Sequence, residues 1–131
     1  MKMHDLSLKL MGEKLAISKI SSNMPIPLWV LKSRDFYSIT RTEDEMSIIS
    51  VESSVPSGIE SEKGWRAIKI EGKLDFSLVG IISSITTLLA DAGISVFVMS
   101  TFNTDYILIK ETSLSEAKVI LSKAYTLKAE A

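Results

Sequence analysis

Between Gly64 and Lys110 the spacing of apolar residues passes from alternation to three- and four-residue steps and back to alternation. Trp65 to Glu71 places Ile68 and Ile70 on one face of a predicted strand, which Gly72 ends. From Ser77 the apolar positions are Leu78, Ile81, Ile82, Ile85, Leu88, Leu89 and Ala92, a single helical stripe with Ser83, Ser84, Thr87 and Asp91 outside it. Gly93 stands where a left-handed C-terminal cap belongs. Ile94 to Met99 is rich in β-branched residues and apolar on both faces, the pattern of a central strand. Tyr106 to Lys110 pairs with it across a turn at Asn103-Thr104-Asp105. A last helix opens with Ser113 and Glu116 at capping-box spacing, buries Leu114, Ala117, Leu121 and Ala124, and runs to about Leu127.

The first half is made of shorter pieces. Leu6 to Leu10 and Lys14 to Ile20 alternate as two strands. Asn23-Met24-Pro25-Ile26-Pro27 breaks the alternation, and Pro27 can start a helical turn through Leu28, Trp29 and Val30. Phe36 to Arg41 and Met46 to Val51 flank Thr42-Glu43-Asp44-Glu45 at hairpin length, and Ser53 to Lys63 reads as a loop with one helical turn. The expected division is residues 1–63 and 64–131. The second part counts as β-α-β-β-α, one strand short, because Lys128 to Ala131 offers no strand of useful length. An N-terminal strand, Leu6 to Leu10 or Leu15 to Ile20, is therefore expected to cross over and complete the second sheet of an α+β, ferredoxin-like βαββαβ fold.

Composition removes several functions. With 15 basic and 16 acidic residues the net charge is -1, so the chain lacks the footprint of a phosphate-backbone or anionic-membrane binder. No nucleic acid and no membrane are expected as partners. The absence of Cys excludes disulfides, thiolate zinc sites and a thiol nucleophile, and the single histidine, His4, has no second ligand of its kind. No metal site and no cofactor are expected. The N-terminus alternates polar and apolar residues instead of presenting the apolar core of a signal peptide, which sets the expected location as cytoplasmic.

Four segments carry a resemblance: Phe36-Tyr37-Ser38-Ile39-Thr40-Arg41-Thr42, Gly64-Trp65-Arg66, Leu74-Asp75-Phe76-Ser77-Leu78-Val79-Gly80, and Ser100-Thr101-Phe102-Asn103-Thr104-Asp105-Tyr106. In this order, over about Leu8 to Tyr125, the chain resembles small bacterial and archaeal proteins with tandem ACT domains. Related ACT pairs form the regulatory regions of aspartate kinases and the cytosolic arginine sensors of animals. The resemblance implies tandem ACT halves, units paired side by side, and an amino-acid effector bound between units. It also implies that the first βα loop and the adjacent second strand line the effector site, here Asp75 to Gly80 and roughly Ser95 to Thr101.

The residues give that implication a chemistry. The first N–H groups of the helix, about Ser77 to Gly80, lack intrahelical partners and suit an α-carboxylate. Asp75 or Asp105 can hold an ammonium group by charge-assisted hydrogen bonds, and Gly80 lets a ligand or a backbone come close. The candidate ligand-binding set is Asp75, Phe76, Ser77, Leu78, Val79, Gly80, Ser100, Thr101, Asn103, Thr104 and Asp105. Each also has a plainer reading. Asp75 or Ser77 serves as an N-cap, Gly80 relieves helix-sheet crowding, and Asn103, Thr104 and Asp105 are what a tight turn selects. Trp29 and Trp65 finish a core edge or an interface, and Arg41 and Arg66 lie solvated or paired on a sheet surface.

Catalysis lacks the residues it needs. The βα loop holds no Arg of the kind an acylphosphatase-like hydrolase requires, there is no glycine-rich phosphate loop, and Glu43-Asp44-Glu45 reads as a solvated hairpin tip. An RNA-recognition sheet would set its aromatics among cations, which Val96 to Met99 and Tyr106 to Ile109 do not. The expected function is a non-catalytic regulatory or sensor protein that binds an amino acid. A homodimer or an enzyme is its expected macromolecular partner. The alternative is a structural or protein-interaction module without a metabolite.

Overall fold

Alternation over residues 6–20 continues through Gly12, whose backbone does not enter the positive-φ region, so the two expected N-terminal strands form one, β1 (Leu6–Ile20). The structure is a computed structural model describing residues 6–33, 36–72 and 78–129. It continues as a short 3-10 turn (Leu28–Lys32), β2 (Tyr37–Arg41), β3 (Met46–Val51), β4 (Glu60–Gly72), α1 (Leu78–Asp91), β5 (Val96–Ser100), β6 (Asp105–Lys110), α2 (Leu114–Ser122) and β7 (Thr126–Ala129). Two compact units result, one of residues 1–12 with 66–131 and one of residues 13–65.

In the larger unit the strand order is β7-β1-β4-β6-β5, with β7 parallel to β1 and β5 antiparallel to β6. The expected N-terminal strand thus does complete this sheet. Leu8 and Leu10 of β1 are buried in one core with Ile68 and Ile70 of β4, Ile107 and Ile109 of β6, Ile81, Ile85 and Leu89 of α1, and Leu114, Ala117 and Leu121 of α2. Burying such side chains contributes about 1.5–3 kcal/mol each. The helical stripe of α1 is realised at Ile81, Ile85 and Leu89, with Ile82, Leu88 and Ala92 at its margin. Gly93, at φ 75, closes the helix as expected: its N–H donates to Ala90 O at 2.9 Å and that of Ile94 to Leu89 O at 2.9 Å.

Four expectations need correction here. A strand does form at Thr126–Ala129, because parallel pairing with Ser7 to Leu10 supplies hydrogen-bond partners for only four residues. It displaces the end of the last helix, which stops at Ser122, and Ala124 is only partly buried. Ser113 makes no side-chain cap hydrogen bond, since at φ -102 and ψ 0 it belongs to the 3-10 turn Glu111–Ser113 that leads into α2. Finally, β5 is an edge strand and not a central one, with Phe97 and Val98 exposed.

The smaller unit takes its order β2-β3-β1-β4 from the same alternation. β3 pairs antiparallel with β1 (Ile17↔Ile49, Ser18↔Ile48) and with β2 (Ile39↔Ile48). Met46, Ile48 and Val30 form a small core flanked by Ile20, Trp29 and Ile39. Trp29 and the buried Trp65 thus serve cores, as their size suggested. β4 starts at Glu60, earlier than expected, and Gly64 sits within it at φ 81, a conformation costly for any residue with a Cβ. The Gly64 N–H donates to Glu52 Oε2 at 2.8 Å.

Candidate functional site

The alternation that buries Ile68 and Ile70 turns Lys69 and Glu71 to the opposite face of the larger unit's sheet. There they border a cleft of about 340 Å³ whose remaining lining is Ile70, Thr101, Asn103, Thr104 and Tyr106. Its size lies near the lower end of the roughly 300–1,000 Å³ typical of small-molecule sites. The cleft sits where β4 ends.

The turn between β5 and β6 builds one wall. Thr101 N–H donates to Thr104 O at 2.8 Å, Thr101 Oγ1 donates to the same oxygen at 3.1 Å, and Thr104 N–H donates to Thr101 Oγ1 at 3.2 Å. Thr104 Oγ1 donates to Ile70 O at 2.5 Å, which ties the turn to β4. These bonds fix the hairpin tip through its own side chains, as turn chemistry favours. They leave the Asn103 side chain exposed beside the cleft and Phe102 fully exposed next to it.

The expected ligand residues divide accordingly. Thr101, Asn103 and Thr104 meet in the cleft. Ser100 and Asp105 face each other in register, the Ser100 hydroxyl donates to the buried Asp105 carboxylate, and neither lines the cleft. Asp75, Phe76 and Ser77 lie outside the described residues, and so do the N-cap readings of Asp75 and Ser77. Leu78 and Val79 open α1. Gly80 is an exposed α1 residue with no atom within 4 Å of where a Cβ would stand, so relief of crowding is not its reason for being there.

Lys69, Ile70, Glu71 and Tyr106 are the lining residues that the sequence reading missed. The signal was the alternation itself, since two charges two residues apart on a strand project side by side, about 6.6 Å apart along it. Glu71 Oε1 lies 3.6 Å from Lys128 Nζ, a partly exposed pair that holds the carboxylate lightly. The cleft therefore offers an ammonium, a carboxylate, an amide and hydroxyls in one small recess. Arg66, three residues before Lys69 in β4, is paired: Nη2 donates to Met11 O at 2.9 Å and Nη1 lies 3.5 Å from Glu111. In the smaller unit Arg41 Nη2 donates to Met24 O at 2.7 Å.

A second recess, in the smaller unit, holds about 240 Å³ between β1, β3 and β4. It is lined by Glu45, Glu60 and Glu62 against the single ammonium of Lys19. Ser18 has a buried hydroxyl without a hydrogen-bond partner, but it shares the core face with Ile48 while Lys19 and Ser47 share the other. The recess thus repels the carboxylate of a zwitterion, and the cleft of the larger unit is the better-matched site.

Comparison with known proteins places the chain. The family model described as ACT domain matches residues 60–123, and a second, described only as an N-terminal domain, matches residues 13–58. A solved structure from Agobacterium tumefaciens is 31% identical with a TM-score of 0.90, covering 97% of this chain and 95% of that one. The aspartate kinase of Clostridium acetobutylicum, an allosteric enzyme, is similar in fold at TM-score 0.66 and 12% identity, over 92% of this chain and 34% of the kinase. The ligand-free regulatory subunit of aspartate kinase from Thermus thermophilus matches at TM-score 0.62 and 13% identity, over 92% and 97%.

Proposed function

This chain belongs to the small ACT-domain proteins, and from that premise we propose that it is a non-catalytic regulator whose larger unit binds a free amino acid in the cleft between β4 and the β5–β6 turn. The observation that carries the reading is the pairing of Lys69 and Glu71 at one recess. The ligand's carboxylate meets the Lys69 ammonium, its ammonium group displaces Lys128 from Glu71, and Asn103, presented by the threonine-fixed tip, sets its orientation. Leu78, Val79 and Gly80 of the first turn of α1, with Asp75, Phe76 and Ser77 by sequence alone, are proposed as further ligand contacts, the helix N-terminus favouring negative charge. The chain's own residue supply supports a role without catalysis, for it has no Cys and one His. The reading sets the protein in the cytoplasm, acting on itself as a homodimer or on an enzyme. No helix among the described residues is long and apolar enough to cross a membrane.

Regulation here is differential affinity: the amino acid favours whichever arrangement of the hairpin tip contacts it better, by that difference alone. A thermal-shift screen of the twenty amino acids tests the reading. One or a few should raise the melting temperature with concentration, by about 2.7 kcal/mol of stabilisation at one hundred times the dissociation constant. A flat response to all of them retires the amino-acid reading. The second reading, an interaction module without a metabolite, is favoured by a different observation, the apolar residues that each unit leaves in solvent.

A further inference from the structure

The strand residues of the larger unit that alternate away from its helix-covered core carry an excess of cations. Leu8, Leu10 and Leu127 pack into that core, so Lys9 and Lys128, in register on the neighbouring strands β1 and β7, project from the other face. Lys69 does the same from β4 between Ile68 and Ile70, and Lys110 from β6 after Ile109. Among the described strand residues of that face in this unit, Glu71 is the one carboxylate. Asp105 belongs to the opposite side with Ile107 and Ile109, where the Ser100 hydroxyl donates to it.

These charges converge on the cleft. Lys69 and Glu71 line it directly. Lys128 reaches it by its ion pair, Nζ lying 3.6 Å from Glu71 Oε1. Because the strands run in the order β7-β1-β4, that pair spans β1, the strand that carries Lys9. At and beside the recess, Lys69, Lys128 and Lys9 therefore stand against Glu71 alone, a local balance that favours a ligand of net negative charge.

We infer that the amino acid this cleft selects is an acidic one, whose side-chain carboxylate is received by Lys128. The inference rests on the amino-acid reading and narrows it to a ligand class. When the ligand's ammonium group takes over Glu71, one ammonium replaces another at the same oxygen, so that exchange gains little by itself. It leaves Lys128 without its carboxylate. A neutral amino acid supplies no substitute, and a basic one adds a further cation to a recess that already holds an excess. An acidic side chain restores what was broken: its carboxylate pairs with Lys128, the α-carboxylate meets Lys69, and the ligand's ammonium lies between them at Glu71. Lys9, in register with Lys128, adds to the same positive field.

Calorimetric titration of the full chain with glutamate, aspartate, their amides glutamine and asparagine, and succinate tests the class. An acid should bind about fivefold or more tightly than its amide, the equivalent of ~1 kcal/mol for a partly exposed ion pair, and the preference should shrink in 1 M salt. Succinate, which has no ammonium group for Glu71, should bind more weakly than aspartate. Lys128→Met should weaken the acid by about fivefold and tighten the amide, since Glu71 then has no competing ammonium, while Lys128→Arg keeps the preference. A merely structural role for Lys128 would move both ligands in the same direction. An amide or a basic amino acid that binds as tightly as the acid overturns the inference and leaves the amino-acid reading standing. So does an acid preference that survives in Lys128→Met. Succinate binding as tightly as aspartate, or no binding by any of the twenty amino acids, overturns both.

Discussion

The two units solve the same packing problem with different means. In the larger unit α1 and α2 cover one face of the sheet with Ile81, Ile85, Leu89, Ala117 and Leu121, and at one end of the opposite face Lys69, Glu71, Tyr106 and the threonines of a hairpin tip border a cleft. Among its described residues the smaller unit has no α-helix. A 3-10 turn seals a core of Val30, Met46 and Ile48 while Met24, Ile26, Leu28 and Leu31 stay in solvent. A polar recess suits a small charged guest, whereas exposed apolar side chains on an ordered strap suit a macromolecule. The difference separates the two readings proposed for the chain, recognition of a metabolite and contact with a macromolecule.

The comparison breaks most severely if β1 is shortened. Removing residues 1–12 takes Leu8 and Leu10 out of the larger unit's core and empties the slot between β7 and β4. Each lost side chain costs about 2–5 kcal/mol, so the deletion should consume most of the ~5–15 kcal/mol by which a domain is stable. Calorimetry should show the cooperative transition of the larger unit lost, and Leu8→Ala alone should lower stability by about 2–5 kcal/mol. An unchanged melting temperature would show that the strand is not part of that core.

Two buried hydroxyls sharpen the contrast. Thr104→Val removes the bond to Ile70 O, and Ser33→Ala removes the bridge between Phe36 and Val51, each at about 1–3 kcal/mol by chemical denaturation. The losses should be similar, but only Thr104→Val should reduce the amino-acid thermal shift. If Ser33→Ala reduces that shift equally, the placing of the site in the larger unit is wrong.

Smaller effects of opposite sign are expected at two glycines, one inside α1 and one just past its end. Gly80 is helical with open space around it, so Gly80→Ala should stabilise by about 0.5–1 kcal/mol. Gly93 sits at φ 75, so Gly93→Ala should destabilise by about 1–2 kcal/mol. The smallest structural effect belongs to Lys69→Met and Glu71→Gln, within about 0.5 kcal/mol. Their melting temperatures should match that of the parent chain, and the amino-acid response should be gone.

What was legible in the sequence follows from how directly each pattern reports its surroundings. The α1 stripe, the β2–β3 hairpin and the Gly93 cap depend on local geometry, and they stand where periodicity and turn chemistry put them. The edge position of β5 was not legible, because Phe97 and Val98 give an apolar run whether a neighbouring strand covers them or not. The same holds for β7, whose four residues become a strand only through β1, more than one hundred residues earlier in the chain. At the site, Thr101, Asn103 and Thr104 were marked by turn composition. Lys69 and Glu71 were not, since charges alternating with Ile68 and Ile70 look like any solvated strand face until the hairpin tip is brought beside them.

The central claim is that the recess bounded by Lys69, Glu71 and the β5–β6 turn receives an amino acid. Backbone amide chemical shifts, followed while each of the twenty amino acids is titrated into the labelled full chain, test it most directly. The account predicts saturable shifts at Lys69 to Glu71 and at Thr101, Asn103 and Thr104, with residues 13–65 little changed. Shifts confined to residues 13–65, or none with any of the twenty, would contradict it.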